Sequence, residues 1–199
     1  AAWRPDAETE VRASIGQGSR APSLFELFSS AGDTSLQPEE SLSLDIGIER
    51  RFGDLALGAT AFWIEIDELI DFDSSATACG SGFGCYAQVS GTTETRGVEL
   101  SARYDGSDAL SIFGNYTYTD TETADGGRLA RVPRHQVALG VNGTFGAGVE
   151  YEVLGRGAFD TAVSTFAPSP LDDYVVIDTQ FGYEVAVGVE AYLRVENLF

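Results

Sequence analysis

Methionine is absent from all 199 residues, and the chain opens on Ala1. Translation starts at Met, so the sequence is expected to be a processed or excised piece of a longer product. Cations are scarce: 12 Lys+Arg stand against 31 Asp+Glu, a formal charge of -19. Nucleic-acid binding draws its free energy largely from cations that neutralise phosphates, so DNA and RNA are excluded as partners. Missing too is any run of roughly 18 apolar residues, the length a membrane-spanning helix needs, and no basic-then-apolar secretory segment opens the chain. Contact with a membrane would therefore have to be made by strands. Apolar carbon is plentiful, with 43% hydrophobic and 11% aromatic residues, too many for a disordered acidic chain. The length suits one domain or two small ones, and the chain should fold.

Side chains alternate across a strand, so a period of two marks a ribbon with one oily and one wet face. Over residues 172–184, Val175, Ile177, Thr179, Phe181 and Tyr183 take one parity, and Asp178, Gln180, Gly182 and Glu184 the other. Leu42, Leu44, Ile46 and Ile48 likewise oppose Ser43, Asp45, Gly47 and Glu49. The pattern recurs at Val98–Tyr104, Val137–Phe145 and Val187–Val195, and a helical period fits none of these. Residues 10–18, 55–66, 109–121 and 147–159 read as further strands, about nine in all. Residues 55–66 are apolar on both parities, which leaves their facing open.

The connectors also alternate. Gly53-Asp54, Asp105-Gly106-Ser107-Asp108, Gly146-Ala147 and the step near Ala186 are tight turns, whereas 19–40, 67–91, 122–133 and 160–171 are several times longer. Short turns at one end and long loops at the other match an antiparallel up-and-down transmembrane β-barrel, with periplasmic turns and extracellular loops. Strands running toward the turns end in rings on the oily parity, namely Phe52, Tyr104, Phe145, Phe181 and Tyr183, which reads as a periplasmic girdle; Tyr116 and Tyr118 would form the upper one. Arg96 shares the oily parity at the loop end, within reach of headgroups. A soluble sandwich is the alternative, but its outward face would be charged rather than aliphatic.

The wording inside these strands carries a resemblance. Gly16-Gln17-Gly18-Ser19-Arg20-Ala21-Pro22-Ser23-Leu24-Phe25-Glu26-Leu27-Phe28, then Leu36-Gln37-Pro38-Glu39-Glu40-Ser41, resembles the G-x-x-F-R-A-P-S-L-x-E-L … N-P-x-L-x-P-E signature of TonB-dependent outer-membrane receptors. Thr92–Leu100, Arg131-Val132-Pro133-Arg134-His135 and Leu193–Phe199 follow in the family's order. Two positions depart from the signature: Ser19 precedes Arg20 in place of an aromatic, and Thr34-Ser35 replaces Asn-Pro. The flavour is similar to the vitamin B12 (BtuB-like) and siderophore branch. The resemblance implies that residues 1–199 are the later part of a larger barrel, with the plug domain, the TonB box and a final strand outside this chain. It implies an outer-membrane transport receptor for cobalamin, a ferric siderophore or a similar nutrient, with the TonB complex, outer-membrane lipid and the nutrient as partners. A complete small barrel acting as a binding or adhesion module is the alternative.

Candidate sites follow. Cys79 and Cys85 bracket a Gly-rich stretch in the longest loop, and an oxidising cell surface favours a disulfide between them over a metal site, which would need further soft ligands. His135 is the only histidine; it lies at a strand entry in a motif the family uses structurally, so no enzyme is expected. The run Asp67–Asp73 offers hard oxygens of the kind calcium takes, but its spacing matches no complete calcium loop, and a solvated acidic loop is the plainer reading. No cofactor is otherwise expected. Ser23 and Glu26 have capping-box spacing and predict a short helix over 23–28. Arg128 and Arg131 are candidates for gripping an anionic ligand, Tyr86 for stacking on it, and Asp71 and Asp73 for further ligand contact. Asp45, Glu49, Glu99, Arg103, Asp178, Gln180, Glu184, Glu190, Arg194 and Glu196 are expected to line a hydrated lumen.

Overall fold

The computed structural model describes residues 1–89, 91–124, 126–165 and 169–198. Every segment with apolar–polar alternation is a strand. In chain order the first half holds β1 (Ala2–Trp3), β2 (Thr9–Arg20), α1 (Leu24–Phe28), β3 (Glu39–Phe52), β4 (Leu55–Asp67), β5 (Ile70–Asp73), β6 (Cys85–Gln88) and β7 (Thr92–Ser107). The second half holds β8 (Leu110–Glu122), β9 (His135–Phe145), β10 (Val149–Phe159), β11 (Thr161–Ala162), β12 (Pro170–Leu171), β13 (Tyr174–Ala186) and β14 (Val189–Val195). One 10-stranded antiparallel meander runs β1-β2-β3-β4-β7-β8-β9-β10-β13-β14. The pairs β5–β6 and β11–β12 are separate small hairpins within the long loops. The large sheet is open: β1 and β14 are its edges, and no pairing joins them among the described residues.

The tight turns lie at one end of the sheet and the four long loops at the other. Gly53 turns with φ 61, and a Cβ there would meet nothing within 4 Å, so glycine is required by the left-handed backbone and not by space.

Residues directly opposite in an antiparallel pair share a face, so register assigns every side chain. One row crosses eight strands as Val11, Ile48, Ala59, Leu100, Tyr116, Val137, Gly157 and Val175, all apolar or aromatic. The row beside it reads Arg12, Gly47, Thr60, Glu99, Thr117 and Gln136. The facing of β4 is settled in the same way. Leu55, Leu57, Ala59, Ala61 and Trp63 stand on the apolar face, while Thr60, Phe62, Ile64 and Ile66 stand among Glu99, Gly97, Thr95 and Thr93 on the polar one. Phe62 is there because Gly97 leaves room: a Cβ at Gly97 would fall 2.4 Å from the Phe62 ring.

Burial is inverted relative to a water-soluble sheet. The apolar face is open, with Ile15 74%, Leu139 61% and Leu193 63% exposed, and Val175 and Val189 each 54%. The buried side chains of β7 and β8 are Thr93, Ser111, Thr119 and Thr121, all on the polar face. Crowding of polar side chains and splaying of aliphatic ones means the sheet curls with its wet face inside. A contiguous aliphatic surface of this extent matches the lipid-facing band of a transmembrane barrel wall. Of the buried apolar residues, Ala31, Leu36, Ile70, Cys85, Val89 and Ala162 lie in the long-loop region, and Ala158 lies on the polar face at the loop end of β10.

Rings mark both ends of the apolar face. At the turn end Phe52, Leu55, Tyr104 and Ile112 share one row, and Phe145 packs against Tyr151 with centroids 5.7 Å apart. Arg50 also lies on this face, a position the sequence reading overlooked; its guanidinium sits 5.2 Å above the Phe52 ring, two residues from the strand end. At the loop end Tyr116, Tyr118 and His135 cluster, with the Tyr116 hydroxyl 2.8 Å from His135 Nδ1. Arg96 is held in cross-strand pairing with Asp120 at 3.0 Å.

Candidate functional site

The four long connectors, loop L1 (21–38), L2 (68–91), L3 (123–134) and L4 (160–173), gather above the same end of the sheet. L1 is anchored by the residues of its own signature motif. Arg20, at the end of β2 on the polar face, points Nε and Nη2 at the two Glu39 oxygens, each at 2.6 Å, and Nη1 at Glu26 at 3.1 Å. Glu39 also accepts the Ile70 amide at 2.8 Å and so ties L2 to L1. Ser23 caps α1: its hydroxyl accepts the Glu26 amide and the Glu26 carboxylate accepts the Ser23 amide, a complete capping box. Partial burial works against the Glu26 carboxylate, but the Ser23 amide and hydroxyl and the Arg20 guanidinium outweigh it, so its pKa lies below the ordinary value of 4.5.

L2 folds on the β5–β6 hairpin, closed by a Cys79–Cys85 disulfide with S–S 2.00 Å and Cα–Cα 5.8 Å. Tyr86 is half-buried, edge-on to Phe25 of L1 at 6.0 Å and to Phe72 at 5.5 Å, so most of its stacking surface is already engaged. The Gln88 side-chain amide makes both bonds to the Gln37 backbone, accepting its N–H and donating to its carbonyl, and the Tyr86 amide donates to the Ala31 carbonyl. Asp73 accepts the Ser75 amide and hydroxyl, while Asp71 accepts the hydroxyl of Thr165 from L4. Both carboxylates are thus engaged by neutral donors, and no cluster of three or more metal-ligating side chains exists among the described residues.

L3 and L4 are laced through Asp160. Arg128 donates to its carboxylate and to its carbonyl, each at 2.8 Å, and Arg134 reaches the other carboxylate oxygen at 2.9 Å. The Arg128 hydrogen bond, opposed by slight burial and aided by the Arg128 and Arg134 charges, lowers the Asp160 pKa below 3.8. Thr165 is 5% exposed and joins three loops, donating to Asp71 while accepting the Ala130 amide at 2.9 Å. Arg131 is exposed, with φ 61 and no ion pair among the described residues. Arg128, predicted to grip a ligand, is therefore occupied by Asp160, whereas Arg131 presents its guanidinium to solvent.

His135 stands on the apolar face, and the hydroxyl within its reach is the Tyr116 phenol. No serine or carboxylate completes a nucleophile–base arrangement around it among the described residues.

A family model described as TonB dependent receptor-like, beta-barrel matches residues 1–198. The chain belongs to the TonB-dependent receptor family. Its relatives include the vitamin B12 transporter BtuB of Vibrio cholerae, 26% identical over 200 residues, which cover 96% of this chain and 31% of that protein. The ferrichrome outer membrane transporter/phage receptor of Escherichia coli is 34% identical over 122 residues, 55% of this chain and 16% of that one. Among solved structures, the copper transporter OprC superposes with TM-score 0.79 at 18% identity, over 99% of this chain and 32% of that one. The ferric enterobactin receptor PfeA of Pseudomonas aeruginosa superposes with TM-score 0.77 at 18% identity, over 100% and 34%. This receptor chain thus spans about a third of the length of the relatives it matches along nearly all of its own. The fold is an antiparallel β-barrel segment of this family, and the family resides in the Gram-negative outer membrane. The wet concave face is accordingly the lumenal one.

Sequence reasoning recognised the Arg20–Glu39 motif as family wording but did not foresee its role as a clamp. Asp160 and Thr165 were missed altogether. Nothing local marks either residue, since their partners lie up to 94 positions away.

Proposed function

We propose that this chain is a wall segment, with four outer loops, of an outer-membrane receptor that takes up a scarce nutrient such as a cobalamin or a ferric siderophore. Ligand binds at the loop mouth. A plug domain elsewhere in the intact receptor fills the lumen, and TonB acts on it to open the path. The observation that carries the reading is the family match over residues 1–198, joined to a sheet that turns its aliphatic face out and its polar face in. The relatives' names supply the ligand classes: vitamin B12 for one, ferrichrome for another. The barrel contributes walls and binding surface, and no covalent step is required of it. No catalytic role falls to His135.

The test uses the full-length receptor in cells lacking their own cobalamin and siderophore receptors. Labelled cobalamin or a labelled ferric siderophore should accumulate in the presence of TonB and stop accumulating when TonB is deleted. Uptake that ignores TonB, or none with any nutrient of either class, sinks the proposal.

A further inference from the structure

Resting on that transport reading, we infer that the loop mouth formed by this chain selects an uncharged or cationic nutrient complex and disfavours a polyanionic one. The chain contains no lysine, so all 12 of its cations are arginines. L1 to L4 carry nine carboxylates and three arginines. A polyanionic chelate would need those guanidinium groups, and the fold has already used most of them. Arg128 and Arg134 both close on Asp160. Arg20, at the root of L1, is held between Glu26 and Glu39. Arg131 alone offers an exposed guanidinium in these loops without an ion pair among the described residues.

The carboxylates are not consumed in the same measure. Glu68 and Asp172 are exposed, and neither has a cation within ion-pair distance among the described residues. A mouth lined by one sign of charge sets up a potential that repels like-charged solutes and concentrates opposite ones, within a Debye length of about 8 Å at physiological salt.

The second observation concerns contact surface. Helix α1 buries none of its residues and leaves Leu24, Phe25 and Phe28 exposed at 76%, 65% and 69%. The Arg20–Glu26 ion pair holds α1 over the lumenal side of the wall, because Arg20 stands on the polar face with Glu39. Phe83 adds a 59% exposed ring in L2. Apolar rings amid net negative charge suit a ligand that brings an apolar body and no negative charge. They leave a trianion a single exposed guanidinium, Arg131, as partner, and an approach through net negative charge.

The experiment measures binding of three probes to the purified full-length receptor: an uncharged cobalamin, a monocationic ferric tris-hydroxamate and a trianionic ferric tris-catecholate. The uncharged or the cationic probe should bind at least about ten-fold more tightly than the trianion, and added salt should narrow that gap. The doubly neutralised variant Glu68→Gln/Asp172→Asn should shrink the gap by about three-fold at low ionic strength. A trianion that binds as well as or better than the others overturns the inference while leaving the transport reading intact. A gap that the double variant does not move overturns its assignment to these loops. Failure of a folded receptor to bind any of the three counts against the transport reading itself, and this inference falls with it.

Discussion

Arg20 and Glu39 stand directly opposite each other in the β2–β3 register, and the guanidinium grips both carboxylate oxygens at 2.6 Å. The fork lies where two strands emerge into the loops, and the same arginine holds α1 through Glu26. A short run of sequence wording thus becomes the hinge pin of the first loop.

Replacing Arg20 with Met should free L1. The pair is half-exposed on the arginine side, 47%, and nearly covered on the glutamate side, 11%. A bidentate charge-assisted bond in that setting contributes about 1 to 2 kcal/mol after allowance for solvent screening. Limited proteolysis of the full-length receptor should show new cleavage within residues 21–38, with heat-modifiability on gels nearly unchanged. Equal protease resistance in variant and parent would refute the role.

Acid should release the same loops. The Glu26 and Asp160 pKa values are depressed in the folded protein, so the stability they contribute is fully present above their ordinary values of 4.5 and 3.8. It is lost as pH falls through the lower folded values. Protection factors in L1 and L4, hydrogen exchange referred to the intrinsic rate at each pH, should therefore stay flat from neutral pH down to about 5 and fall only below about 4.5 for L1, then about 3.8 for L4. Loss of loop protection that begins near neutrality would contradict these ion pairs.

Facing is testable with one residue on each side of the wall. Leu100 lies on the aliphatic face between Ala59 and Tyr116, and Thr117 lies on the lumenal face beside Glu99. Leu100→Arg should destabilise the full-length barrel by about 2 to 4 kcal/mol, the cost of a lipid-facing cation near mid-depth. Thr117→Arg should cost less than about 1 kcal/mol, since water and Glu99 receive it. Refolding into lipid vesicles under urea would measure both. Equal penalties would mean that the two faces are wrongly assigned.

Two glycines under rings should behave differently on substitution. The three atoms nearest a Cβ at Gly140 all belong to the Phe113 ring, at 2.2 to 2.7 Å, whereas one at Gly97 would also strike the Tyr118 carbonyl at 2.1 Å. Each alanine variant should lose about 1 to 3 kcal/mol through overpacking. Adding Phe113→Leu should recover much of the loss at Gly140, but Phe62→Leu should not do so at Gly97, where the backbone oxygen remains. Rescue at both sites, or at neither, in urea titrations would show that the contacts are misplaced.

Most of the architecture was legible because strand periodicity is local: Val175, Ile177 and Phe181 announce their common face without knowledge of any neighbour. So were the tight turns and the α1 cap, which depend on residues three or four apart. Residues 55–66 were not, since Trp63 and Phe62 are equally apolar and only pairing with Leu44 and Gly97 distinguishes lipid side from lumen. The candidate cations were chosen for charge and loop position alone, and neither property tells that Arg128 lies against Asp160, 32 positions on.

By itself, then, the chain's order of residues determined the ribbons, their two faces, the inequality of turns and loops, and the family wording. These follow from the two-residue repeat of extended backbone and from short-range turn chemistry. Tertiary structure alone decided the facing of β4, the capture of the loop arginines by carboxylates, and the joining of three loops at Thr165. Each depends on which distant backbone segments pair and in what register, and free energy of that kind belongs to the assembled sheet rather than to any stretch of sequence.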